Sequence, residues 1–426
     1  MRVAQSRHFR GRFTLPGDKS LSHRLAILAA LAQGESRFAN FSTAEDCNST
    51  LRCLEALGVS TRRAGRSVVE VVGRGPESLQ PSHTPLDAGN SGSTLRMLSG
   101  VVAARPFRTV ITGDSSLRRR PVERVAEPLR AMGAGATSTD GRPPLTIEGA
   151  SLKGITWPMS AASAQVKTAV LLAGLQASGR TAVVEPSPTR DHTERLLPAF
   201  GVPVDVRGAE VSVNGGAALR PLAWDVPGDV SSAAFLVVAA LIVPEAFIHL
   251  ENVLLNPRRT AFLDVLRRMG AHLESGVRRS DPEPVGWLEA RTSRLRGTDV
   301  KPDEVAGLID EVPILAVAAA CAEGDLVVRG AGELRVKESD RIAALCEGLR
   351  RMGADVEEHP DGLTVRGGPR LRGASVRSHG DHRIAMALAV AGLAASGDTD
   401  IEDAECIAIS FPEFPSLLDR GRKGER

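Results

Sequence analysis

The chain has no tyrosine, and only three tryptophans and eleven phenylalanines stand among its 426 residues. Single-stranded nucleic acids are held largely by stacking on aromatic rings beside a basic track. A sequence this poor in rings, with Lys and Arg spread along it and a net charge of +2, argues against a nucleic-acid partner. Long apolar runs are missing too. The longest, Ala233–Val243, stops at Pro244-Glu245, well short of the roughly 20 residues a bilayer span needs, so no membrane partner is expected. The basic stretch 1–12 lacks the apolar core of a secretory signal. Five cysteines form no CxxC pair; an odd number in a chain this long reads as reduced thiols, and a cytoplasmic protein is expected. Familiar site signatures are absent as well. No GxGxxG follows a strand-like stretch, Gly17-Asp18-Lys19-Ser20 lacks P-loop spacing, and neither GxSxG nor HExxH occurs. His379 and His382 lie three apart without a supporting Cys or His cluster, so no metal is expected.

What the sequence does have is repetition. An Ala/Leu-rich helical phrase recurs at Leu21–Gln33, Thr94–Ala104, Val166–Ser178, Ala233–Val243, Ile314–Ala322 and Ile384–Ser396. The interval is roughly 70 residues, outside the solenoid range of about 20–50. A second helical phrase runs out of step with the first: Cys53–Val59, Val125–Ala134, Thr193–Val202, Phe262–Ala271 and Ile342–Ala354, each closing on Gly or Gly-Ala. Phe414–Gly421 is a degenerate sixth copy. Between the helices lie short alternating stretches, among them Ser67–Val72, Thr109–Thr112, Leu145–Glu148, Thr181–Glu185 and Ile248–Glu251, which read as half-buried strands. Each copy is thus strand, helix, strand, helix and further strands, an α/β (α+β) chain built by duplication. Three copies are expected to close into one domain. A break is expected at Trp224–Gly228, and a second crossing near Pro16-Gly17. The charged tail Asp419–Arg426 is expected to fray.

The residues ahead of the Ala-rich helices carry the chemistry. They are Asp18-Lys19-Ser20, Asn90-Ser91-Gly92-Ser93, Ser163-Ala164-Gln165, Asp229-Val230-Ser231-Ser232, Asp310-Glu311 and Asp381-His382-Arg383. Ser, Asn and Asp there are good N-caps, and capping alone is the commonest reason for such residues. Capping does not explain Lys19, Arg24, Gln165 or Arg383. A cation at a helix N-terminus opposes the dipole by roughly 0.3–1 kcal/mol, whereas a bound anion makes the same cation favourable. If the copies are related by pseudo-symmetry, their helix starts can share one crevice. Arg118-Arg119-Arg120-Pro121 reads first as a solvated charge run; with Pro121 opening the next helix, Arg120 is expected at another N-terminus. In Leu334–Arg341 the spacing predicts Lys337 and Arg341 on one helix face with Glu338 beside Lys337. That is either a surface ladder or two anion contacts and a carboxylate for proton transfer.

Five segments carry a resemblance: Leu15–Arg24 (LPGDKSLSHR), Asp87–Arg96 (DAGNSGSTLR), Ser163–Lys167 (SAQVK), Arg335–Arg341 (RVKESDR) and Asp381–Arg383 (DHR). In order and over nearly the whole chain, they resemble the signatures of the 5-enolpyruvylshikimate-3-phosphate synthase family, in its class II form. The resemblance implies a two-domain inside-out α/β barrel, each domain made of three repeated βαβαββ units. Residues 18–227 would form one domain, residues 1–17 and 228–426 the other, joined by two crossovers. It also implies enolpyruvyl transfer from phosphoenolpyruvate to the 5-hydroxyl of shikimate 3-phosphate in chorismate and aromatic amino acid biosynthesis, sensitivity to glyphosate, and no cofactor; a monomer is expected.

Carried over by motif, Lys19 would touch both substrates. Ser20, Arg24, Ser163, Ala164, Gln165, Arg190, Asp310 and Lys337 would hold shikimate 3-phosphate. Gly92, Arg120, Gln165, Arg341 and Arg383 would hold phosphoenolpyruvate. Asp310 would take the hydroxyl proton, and Glu338 with Lys19 would protonate the enol methylene. One departure stands out: many family members carry a Lys two residues before the last Phe-Pro, where this chain has Ile409. Two phosphorylated anions in one site need matching cations, and this set offers Lys19, Arg24, Arg120, Arg190, Lys337, Arg341 and Arg383. The runner-up is the sister family that moves enolpyruvate onto UDP-N-acetylglucosamine. It commonly carries a Cys in the loop before its Arg-Pro, but here 113–121 has Ser115 and Ser116 and no Cys.

Overall fold

The Ala-rich phrases become helices that are buried on every side. A computed structural model describes residues 1–368 and 370–424 and divides the chain into two compact units. One unit is continuous, Gly17–Val226; the other is split, Met1–Pro16 joined to the chain from Pro227 onward.

The continuous unit contains α1 (Lys19–Leu31), α2 (Glu45–Ala56), α3 (Gly92–Val102), α4 (Glu123–Met132), α5 (Ala164–Gly174) and α6 (His192–Ala199). In α1 every residue from Leu21 to Leu31 is buried, and in α5 every residue from Val166 to Gly174. Helices apolar all round belong inside a fold. Their partners α2, α4 and α6 keep polar faces and close the gaps. Around them lie sheets of one shared topology. In the first, Ala223–Asp225 runs parallel to Gln33–Ala39, which pairs antiparallel with Val68–Arg74, and that strand with Ser60–Ala64. The same order recurs in Leu86–Asp87, Arg108–Thr112, Arg142–Glu148 and Gly135–Thr139. It recurs again in Thr156–Pro158, Arg180–Val184, Glu210–Asn214 and Asp205–Arg207. Burial alternates along Arg142–Glu148, as in sheets with one wet face. This is an inside-out arrangement, helices within and sheets without.

The split unit repeats it with α7 (Val230–Ile242), α8 (Ala261–Arg268), α9 (Pro302–Leu308), α10 (Val312–Ala320), α11 (Arg341–Arg351), α12 (His382–Ala394) and α13 (Phe414–Lys423). Among the described residues α7, α10 and α12 form its buried centre. One sheet is Arg10–Thr14, Phe247–Leu254, Val285–Arg291 and His272–Arg279; another is Arg296–Val300, Glu323–Val328, Gly362–Arg366 and Asp355–His359. The last has three strands, Ser375–Arg377, Thr399–Glu402 and Arg2–Val3. Two edge strands belong to a different unit from the helix that follows them. Arg10–Thr14 precedes α1 yet pairs with Phe247–Leu254, and Ala223–Asp225 precedes α7 yet pairs with Gln33–Ala39.

The structure corrects three local expectations. The stretch before residue 424 does not fray. It is α13, anchored by buried Phe414 against Phe235 and Phe411 and ended by Gly424 in the left-handed region; Glu425 and Arg426 lie outside the described residues. Arg120 does not open a helix. It follows a 3₁₀ turn, Leu117–Arg119, with an extended backbone (φ −83°, ψ 144°), and α4 starts only at Glu123. A residue before proline is pushed away from the helical region, which is what Pro121 does to Arg120. Lys337 and Arg341 do not share a helix face. Gly332–Val336 forms a 3₁₀ turn, Lys337 ends it, and α11 begins at Arg341. Asp340 is the cause: its carboxylate caps the Ala343 amide at 3.1 Å, and a strong N-cap fixes where a helix starts.

Candidate active site

The caps come first. Asp18, Ser91 and Ser163 accept the amides of Leu21, Thr94 and Val166 at the starts of α1, α3 and α5. Asp229 caps α7 through Ser231 and Ser232, and Asp381 caps α12 through Arg383. Only α10 of the Ala-rich set lacks a side-chain cap, its place taken by the 3₁₀ turn Ile309–Glu311.

In the continuous unit the starts of α1, α3 and α5 are tied together by polar side chains. The Lys19 ammonium donates to the buried carboxylate of Asp46, in the first turn of α2, at 2.7 Å. Arg24, 3% exposed, donates to Thr193 Oγ1 at 2.9 Å, to Thr168 Oγ1 at 3.0 Å and to the Ser20 carbonyl at 2.9 Å. Arg190 reaches Ser20 Oγ at 3.2 Å. Gln165, beside Ser163 and Ala164 at the start of α5, donates to Ser93 Oγ at 2.8 Å and accepts from Arg96 at 3.0 Å, so its amide orientation is set from both ends. Arg96 also spans the Gly92 and Pro121 carbonyls. Arg120 donates to Asn90 Oδ1 at 2.7 Å and to Ser116 Oγ at 3.1 Å. The unit therefore gathers Lys19, Ser20, Arg24, Gly92, Arg120, Ser163, Ala164, Gln165 and Arg190 around the starts of its central helices. Beneath them His23 Nδ1 pairs with Thr50 Oγ1 at 2.7 Å. Burial, reinforced by Lys19 and Arg24, lowers the His23 pKa well below its usual value, so its ring is neutral.

The split unit gathers the rest. Arg341, the first residue of α11 and 2% exposed, is surrounded by carboxylates. It donates to Asp381 at 2.8 Å, to Glu338 at 2.5 Å and to Asp310 at 3.2 Å. Burial alone would lower its pKa, but Asp381, Glu338 and Asp310 raise it beyond the ordinary arginine value. Arg383 donates to the Asp310 carbonyl at 2.9 Å and lies 3.5 Å from the buried carboxylate of Glu311. Glu311 in turn accepts from Ser231 Oγ at 2.5 Å, and Arg259 donates to the same hydroxyl at 2.9 Å. Lys337 stands next to this cluster. Burial lowers its pKa, an effect that Asp310 only partly offsets. Two carboxylates, Asp310 and Glu338, thus sit in a frame of fixed guanidinium groups. Such a site can bind anions and move protons.

Sequence reasoning missed Asp46 and Arg259, and it placed Ser231 and Glu311 at helix starts without finding their partners. Each meets its partner across a long stretch of chain; Asp46, for instance, lies 27 positions from Lys19. Burial pushes the Cys346 and Cys406 thiols up to about 11, so neither is a ready nucleophile at neutral pH. Among the described residues no group of His, Cys, Asp and Glu could hold a metal ion, and no helix is long and apolar enough to cross a membrane.

The architecture is that of the enolpyruvyl transferases. A solved enolpyruvyl transferase from Streptomyces tendae superposes with a TM-score of 0.80 over 99% of this chain and 96% of that one, at 18% identity, which speaks for the fold alone. The EPSP synthase (3-phosphoshikimate 1-carboxyvinyltransferase) pattern matches residues 3–418. The chain belongs to that family. It is 50% identical to the 3-phosphoshikimate 1-carboxyvinyltransferase of Desulforudis audaxviator, over 98% of both chains. It is 51% identical to that of Pelotomaculum thermopropionicum, again over 98% of both. The solved EPSP synthase of Acinetobacter baumannii matches with a TM-score of 0.87 and 44% identity, over 98% of this chain and 97% of that one.

Proposed function

We propose that the chain transfers the enolpyruvyl group of phosphoenolpyruvate to the 5-hydroxyl of shikimate 3-phosphate, releasing phosphate, as a 3-phosphoshikimate 1-carboxyvinyltransferase. The observation that carries the chemistry is the cluster of Asp310, Glu338, Arg341 and Arg383: two carboxylates hydrogen-bonded to the buried Arg341, with Arg383 donating to the Asp310 carbonyl. In this reading Lys19, Ser20, Arg24, Ser163, the Ala164 backbone, Gln165, Arg190, Asp310 and Lys337 hold shikimate 3-phosphate. Lys19, Gly92, Arg120, Gln165, Arg341 and Arg383 hold phosphoenolpyruvate. Arg suits bidentate contacts to phosphate and carboxylate; Lys suits a contact that also exchanges a proton.

The reaction is addition followed by elimination. Asp310 takes the 5-hydroxyl proton as that oxygen bonds to C2 of the enol. Glu338, with Lys19, gives a proton to C3, making a tetrahedral intermediate with a methyl group. The roles then reverse: a methyl proton leaves, the double bond reforms and the bond from C2 to the phosphate oxygen breaks. The electron pairs stay within the two substrates, so the reading needs no redox group. Both residue sets lie on one chain, so a monomer suffices, and we place the enzyme in the cytoplasm beside its small anionic substrates. The test is phosphate release with both substrates present and UDP-N-acetylglucosamine as control acceptor. Release with shikimate 3-phosphate alone as acceptor is expected; release with the sugar nucleotide instead would reject the assignment.

A further inference from the structure

One buried charge in the central helices has no part in that mechanism. Lys167, on α5, is fully buried, and its ammonium lies 3.0 Å from Glu185 and 2.5 Å from Glu194. These carboxylates bracket the segment 186–191, which carries Arg190. Glu185 follows the strand Arg180–Val184, and Glu194 lies in the first turn of α6. Glu185 Oε1 also accepts the Thr189 amide at 3.2 Å and the Thr189 hydroxyl, one residue before Arg190. The Arg190 guanidinium then donates to Ser20 Oγ at 3.2 Å.

Stability does not explain such a cluster. A buried ion pair is often no better than apolar side chains of the same volume, and one ammonium between two carboxylates leaves net charge to be desolvated. Burial pushes the Glu194 pKa up despite Lys167. What the cluster does supply is geometry: one cation fastens both ends of a short loop.

We infer that Lys167 is a positioning residue, clamping the loop 186–191 at Glu185 and Glu194 so that Arg190 is presented to the anionic acceptor, shikimate 3-phosphate. The inference rests on the role given to Arg190 under the proposed function. It is tested by calorimetric binding of shikimate 3-phosphate to the full-length enzyme and to Arg190→Ala, Lys167→Met, Thr189→Val and the Lys167→Met/Arg190→Ala double variant. Thr189→Val removes one hydroxyl bond to a carboxylate and is expected to weaken binding about tenfold with an unchanged melting temperature. Lys167→Met is expected to weaken it at least as much, and the double variant no more than Arg190→Ala alone. If Lys167→Met does not fold, Thr189→Val decides. Wild-type binding by Thr189→Val and Lys167→Met beside a weakened Arg190→Ala overturns the inference alone, as do fully additive losses in the double variant. Wild-type binding by Arg190→Ala overturns the role of Arg190 and the inference with it.

Discussion

Gly92→Ala adds one methyl where the geometry allows its effect to be worked out. Gly92 is the first residue of α3 and has an ordinary helical backbone, so alanine is acceptable there and helix propensity favours it by up to about 1 kcal/mol. The new Cβ would lie 2.5 Å from Arg96 Nη1 and 3.5 Å from Arg120 Nη1. The second distance is normal contact. The first requires the Arg96 guanidinium to move, which is easy for the end of a long side chain. Yet Arg96 Nη1 is the donor that orients Gln165 through Oε1 at 3.0 Å and also bonds the Gly92 carbonyl at 3.3 Å. Losing one or both bonds costs about 0.5–1.5 kcal/mol each, so the phosphoenolpyruvate KM should rise by roughly threefold to a hundredfold. Glyphosate has one more chain atom between phosphorus and carboxylate than phosphoenolpyruvate does, so it needs more of the space the methyl takes and should lose more. Steady-state KM for phosphoenolpyruvate, Ki for glyphosate and the melting temperature together check this. Equal losses for substrate and inhibitor, or a clear fall in melting temperature, would refute the reasoning.

Lys19→Met and Arg383→Ala should each lower kcat by a factor on the order of 10²–10³, since each removes a fixed charge that the proposed function assigns to the substrates; unchanged far-UV circular dichroism with wild-type turnover in either would reject its place in the site. Lys337 has a pKa lowered by burial, so its charged form is lost below the ordinary lysine range as pH rises. The KM for shikimate 3-phosphate should therefore climb in alkali at a pH below about 10.4, and a KM profile in which Lys337→Arg keeps the same alkaline limb would exclude this lysine as its source. Gly100→Ala tests the packing of α3 on α5: its Cβ would lie 2.0 Å from the Ala169 carbonyl oxygen, a backbone atom that cannot swing away. Overpacking of this kind costs about 1–3 kcal/mol, which urea denaturation should report as a lower midpoint.

The parts of this protein that the sequence reveals are those set by local pattern. An Ala/Leu-rich run such as Ala233–Val243 has no polar face, so it can only be a buried helix, and all of it but the capping Val243 lies within α7. Strands such as Thr109–Thr112 and Thr181–Glu185 fall on or within a residue of observed ones because alternation and bounding Gly or Pro mark them. What the sequence hides is non-local. Nothing near Lys19 announces that Asp46 holds its ammonium, nor anything near Arg383 that Ser231 and Arg259 fasten Glu311 beside it. Local chemistry also misled where two signals competed. The run of charges in 334–341 has helical spacing, but Asp340 is a stronger cap than the run is a helix. The proline after Arg120 suggests a helix start, but the same proline holds Arg120 extended.

The electrostatic argument changes accordingly. From the sequence, Lys19 and Arg383 at helix starts needed an external anion to offset the dipole. In the structure each already has a carboxylate: Asp46 beside Lys19, and Asp310 and Glu311 beside Arg383. Arg341 has Asp381, which caps α12 with one oxygen while holding the guanidinium with the other. The cations are therefore preorganised rather than waiting, and an arriving phosphate or carboxylate must share them with groups already bound. Asp381 is committed to a backbone amide and stays. Asp310 and Glu338 share the same guanidinium from its two terminal nitrogens. A carboxylate whose guanidinium turns to a ligand is less stabilised as the anion and becomes a better base. Substrate binding would thus raise the basicity of the two groups assigned to move protons, at the moment that reaction requires it.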